Sequence, residues 1–117
     1  MVAVGIDIIE VERIRAAVIR WGRRFLKRVY TVGELELCAS HPTSLAARFA
    51  AKEAVMKALG ARGLGWQEIE VLPGPQGEPV LHLHGRALSR AAEMGITLAV
   101  SLSHCRQYAI ASVVCQG

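Results

Sequence analysis

The chain has 117 residues, 52% of them hydrophobic and 21% charged, which makes one ordinary domain with a real core and excludes a disordered chain. No apolar run approaches the roughly 20 residues of a membrane span. Asp7 and Glu10 interrupt the first apolar stretch and no small-residue cleavage site follows, so a soluble, cytoplasmic protein is expected, with residues 1–117 as a single domain. Fourteen cations against ten acids leave a net charge of +4, and seven of those cations (Arg13, Arg15, Arg20, Arg23, Arg24, Lys27 and Arg28) crowd into residues 13–28 without an acid. Such a stripe calls for a polyanionic partner: nucleic acid, a membrane surface or an acidic protein. Cys38, Cys105 and Cys115 form no CxxC pair, and an odd count at wide spacing argues against both a disulfide framework and a zinc site.

Taken in chain order, Val2 to Ile9 is apolar and β-branched and reads as a strand, with Val2, Val4, Ile6 and Ile8 on one face and Ala3, Gly5 and Asp7 on the other. Residues 12–28 read as one helix, its apolar stripe made by Ile14, Val18, Trp21 and Phe25. A short helix is expected from Val32 to Ala39, and Ser40-His41-Pro42 breaks the chain. Thr43 or Ser44 then caps a long Ala-rich helix that Gly60 stops after Leu59. Gln67 to Leu72 and Pro79 to His84 read as strands joined by a PGPQGE turn. Arg86 to Met94 is a helix closed by Gly95, and Ile96 to Ser103 with Tyr108 to Val114 form a second hairpin. The order β-α-α-α-β-β-α-β-β predicts an α+β domain, mostly antiparallel, around one long helix.

Two carboxylates stand out. Asp7 is the only aspartate and lies inside an apolar strand, where it needs a cation, a metal or hydrogen bonds unless it merely caps the next turn. Glu53 stands one turn before Lys57 on the long helix; an ordinary surface pair is the plain explanation. Together Asp7 and Glu53 also offer what Mg²⁺ takes, one or two carboxylates plus substrate phosphates, with Lys57 as a point charge for phosphate. At about 100° per residue, Glu53 and Lys57 share a face, while Arg48 lies about 140° from Glu53. If all three act, the helix serves two sites, as in a symmetric oligomer with sites between subunits. His82 and His84 share a strand face without a third ligand, and His104 sits at a hairpin tip, where a histidine is ordinarily just solvated.

Four segments in order, GIDIIEVERI (5–14), SLAARFAAKEAVMKALG (44–60), WQEIEV with GEPVLHLHG (66–71 and 77–85) and VSLSHCRQYAIASVV (100–114), closely resemble the short, holo-acyl-carrier-protein synthase type of 4′-phosphopantetheinyl transferase. The resemblance covers nearly the whole chain. It implies transfer of the phosphopantetheine arm of coenzyme A to a serine of apo acyl carrier protein, releasing 3′,5′-ADP, with Mg²⁺ as cofactor, in fatty-acid or polyketide synthesis. By the same resemblance Asp7 and Glu53 are the metal carboxylates, Lys57 lies near the pyrophosphate, and Arg48 contacts coenzyme A. His104 would approach the 3′-phosphate from a neighbouring subunit of a trimer. The proton acceptor for the serine is left open between Glu53 and a water on the metal. The basic segment becomes a docking helix for the acidic carrier, with Arg13 and Arg24 foremost and Arg20 and Arg28 beside them. Where the family often has G-T-G, this chain has Gly60-Ala61-Arg62-Gly63, so Gly60 and Arg62 are candidate coenzyme contacts in an altered loop. The competing reading is a small basic nucleic-acid-binding α+β module; aromatics at 5% and the lack of any RNP, KH or helix-turn-helix signature weigh against it.

Overall fold

The computed structural model describes residues 1–117. The chain runs β1 (Val2–Glu10), α1 (Val11–Trp21), α2 (Arg23–Val29), α3 (Val32–Cys38), α4 (Pro42–Leu59), a 3₁₀ turn (Trp66–Glu68), β2 (Ile69–Pro73), β3 (Pro79–Leu83), α5 (Gly85–Met94), β4 (Thr97–His104) and β5 (Tyr108–Gln116). All strand pairs are antiparallel: one sheet has the order β1-β5-β4 and the other is the β2-β3 hairpin. The predicted α+β architecture is present, with one more helix than expected.

That helix arises at Gly22. The single helix expected over 12–28 is two, because Gly22 adopts φ 56° and its amide turns back to the Val18 carbonyl at 2.8 Å. A side chain there would be strained, and glycine lets the chain change direction between α1 and α2. The N-terminus of α4 also differs. His41 is the capping residue without a side-chain bond, Pro42 takes the first turn, where its missing N–H costs nothing, and Thr43 and Ser44 lie inside the helix. Residues 66–68, expected in part as strand, form the 3₁₀ turn instead, so β2 starts at Ile69.

Helix α4 is apolar on nearly every side and becomes the centre of the fold, packed against β1 and β5. Its small residues Ala50, Ala51, Ala54 and Ala58 let backbones approach closely. The closest approach is at Gly5 of β1, where a Cβ would stand 1.9 Å from the Ala54 carbonyl oxygen. Only glycine fits, and this contact presses the strand bearing Asp7 onto the helix bearing Glu53 and Lys57. The alternate face of β1 turns away from the core: Val2, Val4, Ile6 and Ile8 are 55–65% exposed. Val114 and Ile110 of β5 stand opposite Val4 and Ile8 and extend this apolar face.

Candidate functional site

Asp7 leaves β1 on the side that faces α4, and the Nζ of Lys57 donates to its Oδ1 at 3.0 Å. The same ammonium donates to the Ile6 carbonyl at 3.0 Å. Lys57 is therefore the partner of Asp7, not of Glu53 as the i,i+4 reading of the helix had it. The Asp7 carboxylate is only 18% exposed and Lys57 more than half exposed. An ion pair this open contributes at most about 1 kcal/mol. Glu53 stands beside them, and burial first, then the neighbouring Asp7 charge, raises its carboxyl above the ordinary glutamate range, with Lys57 opposing. Two neighbouring carboxylates that repel each other form a site that gains from a cation.

The donor set fits a hard divalent ion: two carboxylate oxygens and no thiolate or imidazole. No third His, Cys, Asp or Glu joins them, so Mg²⁺ held here by Asp7 and Glu53 would take its other oxygens from substrate and water. The cleft has a volume of about 570 Å³ and is walled by Glu53, Met56 and Lys57 on one side and by Gly60–Gly63 on the other. Gly60 ends α4 at φ 61°, and the Ala61 amide reaches back to the Met56 carbonyl at 3.2 Å. The turn brings exposed Arg62 to the edge of the cleft.

Two sequence-predicted residues do not reach this cleft within one chain. Arg48 faces β2, where its Nε donates to the Val71 carbonyl at 3.1 Å. His104 ends β4, separated from β1 by β5, and makes no hydrogen bond to Asp7, Glu53 or Lys57. Strand spacing alone puts the His104 and Asp7 backbones roughly 10 Å or more apart.

Arg13, Arg20, Arg24 and Arg28 are all exposed along α1 and α2. Trp21, expected on the buried stripe, is 51% exposed and carries the Arg20 guanidinium 4.9 Å from its ring centre. Below it opens a slot of about 530 Å³ lined by Trp21, Arg24, Phe25, Arg28, Phe49 and Trp66, the last pair of aromatics stacked at 4.9 Å. The basic surface thus has an apolar seat inside it, a feature that charge counting passes over. Its signal in the sequence was Trp21 and Phe25, four positions apart within the most basic segment.

The sequence model of the 4′-phosphopantetheinyl transferase superfamily matches residues 3–113. The chain belongs to that superfamily. It is 55% identical to a holo-acyl-carrier-protein synthase of Dehalococcoides mccartyi over 99% of both chains, and 50% identical to that of Herpetosiphon aurantiacus over the full length of both. In three dimensions it is similar to the Helicobacter pylori holo-acyl-carrier-protein synthase in complex with coenzyme A, with a TM-score of 0.87, 34% identity, and 97% of this chain and 99% of that one covered. The Bacillus anthracis synthase, in complex with CoA (3′,5′-ADP), gives a TM-score of 0.77 at 30% identity, covering 97% of this chain and 94% of that one.

This transferase chain also holds a buried charge pair that sequence reasoning missed. Lys52 and Glu34 have fully buried side chains, with Nζ and Oε1 2.7 Å apart. Lys52 also donates to the Trp66 carbonyl at 3.1 Å and to the Ile69 carbonyl. Glu34 accepts from the Thr31 amide at 3.0 Å and the Val71 amide at 2.9 Å. The only hint in the sequence was a lysine among alanines, 100° away from Glu53 on a helix that has no wet side there. Elsewhere, His84, expected to share a strand face with His82, lies just past β3 as the residue that opens α5, and pairs with Glu70 at 3.0 Å.

Proposed function

We infer that this chain is a holo-acyl-carrier-protein synthase that moves the 4′-phosphopantetheine arm of coenzyme A onto a serine of an apo carrier protein. The observation that carries the reading is the Asp7–Glu53–Lys57 cluster, two of whose members line a cleft, in a fold shared with coenzyme-bound synthases. In the reaction the serine oxygen bonds to the β-phosphorus and the pyrophosphate P–O bond breaks. The electron pair leaves with 3′,5′-ADP, and the serine proton is released. Mg²⁺ between Asp7 and Glu53 would supply charge neutralisation and Lewis-acid polarisation of the pyrophosphate. Lys57 meets the negative charge that grows on the α-phosphate oxygen of the leaving 3′,5′-ADP, and Asp7 holds its ammonium in place. The cleft and its Gly60–Gly63 wall orient the coenzyme, with Gly60 and Arg62 as contacts, so that positioning and electrostatics do most of the work.

The apolar outer face of the β1-β5-β4 sheet is covered by a second and third copy in this reading. Val2, Val4, Ile6 and Ile8, on the sheet face opposite Asp7, are too exposed to suit a monomer. Across the joint between copies His104 of a neighbouring chain reaches the 3′-phosphate of the coenzyme, and Arg48 is a further coenzyme contact. Sedimentation should return a trimer; a monomer with full activity would refute this arrangement. The enzyme works in the cytoplasm in this reading, and no helix of it is long and apolar enough to cross a membrane.

The test of the reaction is the intact mass of apo acyl carrier protein incubated with the chain, coenzyme A and Mg²⁺. A chelator-sensitive gain of one phosphopantetheinyl group is expected, and no gain with several carriers would overturn the assignment. Docking uses Arg13, Arg20, Arg24 and Arg28 against the acidic carrier, with an apolar carrier side chain seated in the aromatic slot. Arg24→Glu should raise the KM for carrier about tenfold at low salt and leave that for coenzyme A unchanged, because a charge reversed on the docking surface repels the partner and not the donor. The difference should shrink as salt is added. An unchanged carrier KM would remove α2 from the docking surface.

A further inference from the structure

The Gly60–Gly63 wall of the cleft has little to hold it from within. The amides of Arg62, Gly63 and Leu64 find no hydrogen-bond acceptor in the chain, and Gly60, Arg62 and Gly63 are exposed. Its anchors lie behind it, on α5. The Nη2 of Arg86 donates to the Gly63 carbonyl at 2.7 Å, and the Nε of Arg90, one turn on, donates to the Leu59 carbonyl at 3.2 Å. The two arginines thus grip both ends of the loop. Glu68 locks the grip. Its carboxylate accepts from the Arg86 guanidinium at 3.1 Å, from the Gly65 amide at 2.6 Å, and from the Arg86 and Ala87 amides that open α5. These bonds hold the Glu68 carboxyl below the ordinary glutamate range, the Gly65 amide first among them. The close fit extends to Gly65, where a Cβ would stand 2.8 Å from Glu68 Oε2.

We propose that α5 is a clamp on the coenzyme cleft, with Arg86 and Arg90 as positioning residues that set the Gly60–Gly63 wall through the Leu59 and Gly63 carbonyls. Neither arginine lines the cleft, so neither need touch the coenzyme. The clamp acts by keeping the loop in the shape that receives the coenzyme, so that binding does not have to order it. The inference rests on the transferase reading for what occupies the cleft.

The test compares Arg86→Gln, Arg90→Gln, the double variant and Arg86→Lys by steady-state kinetics and by amide hydrogen exchange over residues 60–65 without coenzyme. In the double variant the KM for coenzyme A should rise about tenfold, each lost anchor contributing a few-fold, while kcat and the carrier KM stay within about twofold. Exchange at the hydrogen-bonded amides of Gly60, Ala61 and Gly65 should quicken by a similar factor while the α4 core stays protected. Arg86→Lys should fall between wild type and Arg86→Gln, since an ammonium restores one donor without the fork. Unchanged exchange together with an unchanged coenzyme KM overturns the clamp. So does a loss of kcat and of both KM values that tracks a fall in Tm, which would mark a purely structural role. If the wild-type chain neither binds nor turns over coenzyme A, the transferase reading is what fails, and the exchange comparison still decides for or against the clamp.

Discussion

Asp7→Asn should reduce kcat/KM by about 10²–10³-fold while leaving the fold intact, and Glu53→Gln should do the same. Removing a preorganised charge from a phosphoryl-transfer site forfeits stabilisation of that order. Each substitution keeps the volume of the side chain and removes one of the two negative charges that would hold Mg²⁺. In Asp7→Asn the Lys57 ammonium also loses its charged partner at 3.0 Å and keeps only the Ile6 carbonyl. Stability should change little, because the ion pair is half open to solvent and Glu53 is relieved of a like charge beside it. The residual activity of both variants should respond less steeply to added Mg²⁺ than that of the wild type. Intact-mass kinetics of carrier modification across a Mg²⁺ titration, with circular dichroism as the check on folding, measures all of this. Activity within about threefold of wild type in either variant would remove that carboxylate from the site.

Lys52→Met should cost about 3–5 kcal/mol of folding stability, a large part of the margin of a domain this size. The substitution leaves the Glu34 carboxyl enclosed without its cation, with two backbone amides as its only partners, and strands the Ile69 carbonyl, while the Trp66 carbonyl keeps the Ile69 amide. Burial first, with the Arg48 charge adding to it, pushes the Lys52 ammonium below its ordinary range, and Glu34 is the main influence pulling it back, so the two charges depend on each other. Glu34→Gln should cost a comparable amount. The double variant Lys52→Met/Glu34→Gln should cost clearly less than the sum, since neither charge is then left alone. It will not recover the wild-type value, because the pair also satisfies backbone groups of α3, β2 and the 3₁₀ turn, which no apolar replacement can do. Urea unfolding of the three variants gives the cycle. A single variant within 1 kcal/mol of wild type would show that the network is not a main support of the α3–α4–β2 junction.

The two largest effects therefore fall on neighbouring residues of one helix. Lys52 points into the core and Glu53 toward the cleft, about 100° apart. The cleft face of α4 is held in place by the buried face next to it.

Much of this protein was legible in the chain itself. Element types followed from periodicity and from stop signals: Gly60 and Gly95 both end helices in the left-handed conformation that suits glycine. The basic segment, the two-faced α4 and the shared face of Glu53 and Lys57 came from spacing alone. Such features are local, set by interactions over a few residues, and local chemistry is written in order along the chain. Tertiary structure decided the rest. That Lys57 pairs with an aspartate 50 positions away depends on how near β1 comes to α4, and that distance is set by the missing side chain of Gly5 against the Ala54 carbonyl. That Lys52 is a core residue, that Trp21 and Phe25 line a slot, and that two arginines of α5 brace the loop after α4 depend equally on which elements pack together. A lysine or tryptophan on a helix has the same local propensities whether it ends up enclosed or wet; only the neighbours brought to it by folding tell the two apart.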